Sequence, residues 1–261
     1  MLRNSSEIIG YTIGAIDGRL GKVTDFLFDD DTWLVRWLVI DTGSWLSGRK
    51  VLLPPSVLGH FSAIGDQFSV RLTMQQIKDS PGVETDLPVS RQIEANTYDY
   101  YGWNPYWSNG LYMGGYSWGS GNMTPVPYGE SLRRAEEIAS EEQENNDLHL
   151  RSAKVVSGYD IHASDGNIGH VADLLVEDAD WGIHYLVVDT QNWWSGKHVL
   201  LSPRSIEAID WTNRQVDLLV TRKCVKNAPA YEEPTLVDRA YENHFNNYYA
   251  NRNSSEQDLA N

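Results

Sequence analysis

Apolar residues fall in short runs of four to eight, separated by turn residues, over residues 10–73 and again over 158–221. Runs rich in Val, Ile, Leu, Phe and Trp predict strands. Phe68, Val70 and Leu72 alternate with polar neighbours, as do Val216, Leu218 and Val220, so the last strand of each stretch has one buried face. Asp17-Gly18 and Asp165-Gly166 are dipeptides that favour tight hairpins. About six strands at roughly ten-residue spacing predict a small antiparallel β-barrel, because closure removes exposed edges. Met74 to Pro81 and Arg222 to Pro229 then read as short helical turns stopped by proline.

The two stretches are copies. Gly10-Tyr11-Thr12-Ile13 recurs as Gly158-Tyr159-Asp160-Ile161, an offset of 148 that holds without a gap. Over residues 10–101 against 158–249, 33 of 92 pairs are identical. Self-similarity at a fixed period marks duplication of a structural unit. The predicted fold is therefore mainly β: two tandem six-stranded antiparallel barrels with short helices after each, joined by an irregular aromatic-rich linker. The expected boundaries are 10–81 for the first barrel, 82–157 for the connection, 158–229 for the second barrel, and 230–261 for a C-terminal helix and disordered tail.

The connection differs in kind. Val89-x-Arg91-x-x-Glu94 leads to Tyr100-Tyr101 and predicts a helix, matched by Val237-x-Arg239-x-x-Glu242 leading to Tyr248-Tyr249. Arg91 and Glu94 share one face at i,i+3 and read as a solvated surface pair, ahead of a partner contact. From Asn96 to Tyr128 ten Tyr and Trp are mixed with six glycines and three prolines, and the segment reads as a loop without a core of its own. Three roles stay open for it: a sticky binding surface, a wrap over a barrel's apolar flank, or non-specific low-complexity stickiness. Glu130 to Asp147, with seven acids, suggests an exposed acidic helix.

The formal net charge is −15 and the sequence pI about 4.8. Clustered Lys and Arg are what grip a phosphate backbone, so direct nucleic-acid binding is not expected. The excess sits in the connection: residues 10–81 carry 7 bases and 8 acids, residues 82–157 carry 5 and 11. With one cysteine, Cys224, no intrachain disulfide can form. The N-terminus lacks an apolar signal core, and no run of about 18 apolar residues could span a bilayer, which predicts a cytoplasmic protein.

Chemistry is sparse. Asp17/Asp165, Asp25/Asp173 and Asp41/Asp189 pair across the copies but fit turn and loop-capping roles better than acid–base work. The histidines have no zinc spacing, and no nucleophile elbow, phosphate loop or dinucleotide fingerprint occurs. The expectation is a protein without catalytic residues, cofactor or metal. The most suggestive shared loop is Ser44-Trp45-Leu46-Ser47-Gly48-Arg49, matched by Asn192-Trp193-Trp194-Ser195-Gly196-Lys197. Its tryptophans either close a barrel end or anchor a partner. The candidate binding residues are Trp45, Trp193 and Trp194, with Trp103, Tyr106, Trp107, Tyr112, Tyr116 and Trp118 from the linker.

Ile13 to Asp25 with Gly21-x-Val23-x-Asp25, then Leu38-Val39-Ile40-Asp41 and Val51-Leu52-Leu53-Pro54, resembles the PRC-barrel domain, over residues 10–81 and again over 158–229. That resemblance implies a docking or adaptor module without catalytic residues. The family includes the cytoplasmic part of the photosynthetic reaction-centre H subunit and the C-terminal part of a ribosome-maturation factor. The leading expectation is a scaffold that binds an unidentified protein. The alternatives are a peripheral factor on a membrane electron-transfer complex and an accessory acting through a ribosomal protein. Homo-oligomerisation and peripheral membrane association also remain open.

Overall fold

The computed structural model describes residues 1–62, 67–82, 91–103, 105–106, 112–113, 116–117, 150–190 and 197–231. Ahead of the first copy lie strand β1 (Leu2–Asn4) and the short helix α1 (Ser5–Ile8). The first copy contributes β2 (Thr12–Ala15), β3 (Gly18–Asp29), β4 (Leu34–Asp41), β5 (Lys50–Leu53), β6 (Leu58–Ser62), β7 (Gln67–Val70) and helix α2 (Met74–Asp79). Helix α3 (Arg91–Tyr101) and a small ribbon of β8 (Tyr112–Met113) and β9 (Tyr116–Ser117) follow. The second copy is preceded by β10 (Leu150–Ser152) and α4 (Ala153–Val156). It then runs through β11 (Asp160–Ala163), β12 (Gly166–Glu177), β13 (Ile183–Asp189), β14 (His198–Leu201), β15 (Ile206–Asp210), β16 (Gln215–Leu218), α5 (Arg222–Lys226) and β17 (Ala230–Tyr231).

Both copies fold with one strand order, as the duplication requires. The first sheet runs β5-β4-β3-β2-β7-β6 and the second β14-β13-β12-β11-β16-β15. One detail departs from the antiparallel expectation: β2 pairs with β7 in parallel, and β11 with β16 likewise. These are the first and last strands of each copy, and the intervening strands supply the long crossover that parallel neighbours need. The sheet curls around an apolar interior. Ile13, Leu20, Phe26, Phe28, Leu38, Ile40 and Leu53 are fully buried in the first copy; Ile161, Ile168, Leu174, Val176, Leu186, Val188 and Leu201 take those places in the second. Trp37 and Val39, on the opposite face of β4, are buried too. That double burial explains why β4 reads as an unbroken apolar run instead of alternating.

The compact units are not contiguous in sequence. One unit joins Met1–Ile9 and Thr32–Val35 to the described residues from Ser152 onward; the other is Gly10–Asp31 with the described residues from Arg36 to Arg151. Strand β1 pairs antiparallel with β12, Arg3 opposite Val176, and β10 pairs with β3. At the 148-residue offset β1 and β10 are equivalent strands, so each copy is completed by the leading strand of the other. The side chains follow suit. Leu2 joins Leu175, Tyr185, Val187 and Leu200, while Leu150 joins Trp37, Val39 and Leu52. Arg3 faces Asp178 at 3.7 Å and Arg151 faces Asp30 at 2.7 Å.

Two glycines of the repeated motif have a direct steric cause. A Cβ on Gly21 would overlap the carbonyl oxygen of Asp41, and one on Gly169 that of Asp189. The chain must pass there with no side chain, at φ 141° in the case of Gly169. The hairpin tips hold Trp33 and Trp181 at φ 57° and 58°, a left-handed conformation uncommon for a bulky residue. In the second-copy unit both tip carbonyls are used: Trp181 accepts from the Val35 N–H at 2.9 Å and Trp33 from the Ile183 N–H at 2.8 Å.

Candidate functional site

The repeated polar residues first prove to be fasteners. Asp17 accepts the Met74 N–H at 2.8 Å and Asp165 accepts the Arg222 N–H at 2.6 Å, so each Asp-Gly turn holds the first residue of the helix after its barrel. Asp41 accepts from the Gly43 N–H at 2.7 Å. Buried Asp173 accepts the Ser5 hydroxyl at 2.5 Å, the Ser6 hydroxyl and the Leu174 N–H, and so anchors α1 in the second-copy unit. The bases of the shared loop close the other end of the same helices. Arg49 donates to the carbonyls of Lys78 at 2.9 Å and of Ser80, and Lys197 donates to the Ala228 carbonyl at 2.7 Å. A cation on the free carbonyls at a helix end is favourable. Sequence reading missed this role, although a base at matching positions of both copies was its signal.

Trp45 lies in a 3-10 turn, Gly43–Leu46, and is half-buried; its indole N–H donates to the Leu20 carbonyl at 2.5 Å. The side chain is thus tied to its own barrel. Trp193 and Trp194 lie outside the described residues, as do Trp107 and Trp118.

The connection contributes most to the first-copy unit through α3. Three of the aromatics expected in a loop, Tyr98, Tyr100 and Tyr101, are instead on this helix. Glu94 is not solvated either: it is buried and accepts the Trp37 indole N–H at 2.6 Å and the Tyr106 hydroxyl at 3.3 Å. Helix formation turns Glu94 and Tyr98 to one face, i to i+4, and the outer face of β4 covers both. Trp37 packs on Tyr98 with centroids 4.9 Å apart, and Ile93, Trp103 and Tyr106 close over the same cluster. Arg36, paired with Asp29 at 3.4 Å, lies 3.9 Å above the Tyr106 ring. Of the linker candidates, Trp103 and Tyr106 therefore cover the barrel, whereas Tyr112 and Tyr116 belong to the β8–β9 ribbon.

Trp103 also faces outward. It stacks flat on Tyr101, centroids 4.1 Å apart at 11°, and burial pushes the Tyr101 phenol above its ordinary value. With Val57, Leu58 and Leu72 it walls a cavity of about 560 Å³, whose polar lining includes Ser56 and Arg71. The volume falls within the range of small-ligand pockets. Among the described residues no cluster of His, Cys, Asp and Glu could hold a metal ion, and no helix is long and apolar enough to cross a membrane.

Comparison with known proteins fits this geometry. Residues 2–73 match the family model described as the PRC-barrel domain. The match bears out the PRC-barrel resemblance for this part of the chain. The match begins at β1, so the PRC domain includes the leading strand that is here exchanged for its equivalent, β10. An uncharacterized protein of Deinococcus radiodurans is 29% identical over 86 residues, covering 33% of this chain and 31% of that protein. The chain thus spans about a third of the length of the curated relative it matches. A PRC-barrel domain suggests a small binding or scaffold module, and the family is generally non-catalytic.

Proposed function

We propose that the chain is a non-catalytic protein-binding module, built from a PRC-barrel domain and its internal copy and acting in the cytoplasm. The observation that carries this reading is the use made of the repeated polar residues. Asp17, Asp165, Asp41, Asp173, Arg49 and Lys197 are committed to turns and helix ends, where catalysis would require them free and convergent. Conserving such fasteners in both copies preserves a rigid frame, and a rigid frame presenting a surface is what a binding module needs. Affinity capture of the intact chain from native lysate, with chemical crosslinking and a membrane co-sedimentation arm, tests it. The expected result is saturable, crosslinkable capture of a protein. Turnover of a substrate by the purified chain, abolished by a point substitution in the chain, would overturn it.

A further inference from the structure

The cavity beside Trp103 combines three features. Its floor is apolar, with Leu58 opposite Val70 in the β6–β7 ladder and Leu72 buried just beyond β7. One wall is a preorganised aromatic plane, because Trp103 is stacked on Tyr101 and its backbone N–H donates to the Tyr98 carbonyl at 2.9 Å. The third feature is a cation: Arg71 is exposed, and its guanidinium makes no ion pair with a described residue. In a chain of net charge −15, an unpaired arginine over an apolar pocket is set for an anion attached to an apolar body.

The second copy acts as an internal control. At the 148-residue offset Arg71 becomes Leu219, Gly59 becomes Glu207, Val57 becomes Ser205 and Trp103 becomes Asn251. In sequence the cation is lost, a carboxylate enters and asparagine replaces tryptophan, while the strand pairing of the two copies stays the same. The frame does not demand these residues, so their chemistry is free to serve something other than the fold.

We propose that this pocket takes the C-terminal end of a partner polypeptide, the last apolar side chain lying on Trp103 and Leu58 and the terminal carboxylate pairing with Arg71. This deepens the binding-module reading and rests on it. The cavity is open on one side, which lets a chain continue outward; a free small molecule is usually buried over most of its surface.

The test is fluorescence anisotropy of a dye-labelled hexapeptide ending in Ala-Phe, against the intact chain. The free acid is expected to bind, and its C-terminal amide roughly tenfold or more weaker, the loss of one charge-assisted pair. Arg71→Gln should lose about the same factor and Arg71→Lys less, with unchanged circular dichroism because the side chain is exposed. N-acetylphenylalanine should compete at least ~tenfold less well than the peptide, since it lacks the continuing chain. Equal binding of acid and amide, indifference to Arg71→Gln, a free amino-acid derivative matching the peptide, or no saturation up to about 1 mM would each overturn the site. Repeating the lysate capture with Arg71→Gln separates this proposal from the one beneath it. Capture that survives the substitution leaves the binding-module reading standing and overturns the pocket.

Discussion

The same apolar face is finished differently in the two copies. In the second, Leu175, Tyr185, Val187 and Leu200 are covered by Leu2 and by Tyr231, from the short edge strand β17 that pairs with β14; the Tyr231 hydroxyl donates to Asn4 at 3.4 Å. In the first, Leu27, Trp37, Val39 and Leu52 are covered by Leu150 and by α3 with its following turn, through Ile93, Tyr98, Trp103 and Tyr106. Five positions of each cluster are equivalent at the 148-residue offset, including the exchanged leucine. The covers are not. Below the cover, selection has kept strand order, the two crowded glycines and the helix fasteners; above it, one copy acquired a buried carboxylate and an aromatic pocket. The difference separates residues that hold the frame from residues that can discriminate a partner.

The sharpest way to break the comparison is to remove residues 1–8. If β1 belongs to the second copy, its deletion destabilises that unit and leaves the first intact. Leu2 and Ile8 are 8% and 2% exposed, and burying two such side chains contributes roughly 3–6 kcal/mol. Hydrogen exchange resolved by peptide should show lost protection in β12 and β13, with β3 and β4 unchanged. Lost protection in β3 and β4 instead would show that the leading strand serves its own copy in solution.

That exchange also marks where the sequence stops being readable. The strands, the alternation of Phe68 and Val70, the helix stop at Pro81 and the shared strand order follow from patterns a few residues long, and local periodicity reports them well. Which copy β1 completes is different. Leu2 and Leu150 are both leucine and Arg3 and Arg151 both arginine, so either could fill either place, and period-2 patterning fixes the face of a strand but not its neighbour. Glu94 failed for a related reason. A carboxylate three residues after an arginine looks like a surface pair until a tertiary donor, the Trp37 indole, is known to stand over it. The fasteners were half legible: their equivalence across the copies was visible, their targets were not.

Next in size, and a test of sameness, are Gly21→Ala and Gly169→Ala. Each added methyl would strike a backbone oxygen that cannot move without opening its ladder. Each should cost about 3 kcal/mol, the upper end for overpacking, in its own unit. Gly169 also holds φ 141°, so its cost should be the larger of the two. Thermal or urea unfolding monitored through each unit separately measures both. Tolerance at one position with collapse at the other would mean that the two frames are not equivalent.

A smaller effect sharpens the difference between the covers. Glu94→Ala strands the indole N–H of Trp37 and removes the acceptor of Tyr106, and an orphaned buried donor costs roughly 1–3 kcal/mol. Glu94→Gln keeps an acceptor and should cost less. The expected readout is loosening of α3, seen as faster exchange over 93–101, with no change in the second-copy unit. Stability equal to the parent in both variants would show that Tyr98 and Ile93 hold the helix unaided.

The smallest effect concerns Arg49, and it bears on whether a base in the shared loop is structural in both copies. Arg49 reaches two carbonyls at the end of α2, those of Lys78 and Ser80, and Lys197 reaches that of Ala228. A guanidinium fork holds two acceptors in a fixed planar geometry, where an ammonium is a compact charge on a flexible stem. Arg49→Met keeps the apolar stem and removes the donors; because the head is partly exposed, water replaces some of the loss and the cost should be about 1 kcal/mol. Arg49→Lys converts the first copy to the second copy's chemistry and should recover most of that, while Lys197→Arg should leave the second unit at least as stable. If Arg49→Met instead leaves stability unchanged but weakens partner capture, the base is part of the binding surface. The symmetry of the loops would then reflect a shared ligand, not a shared fastening.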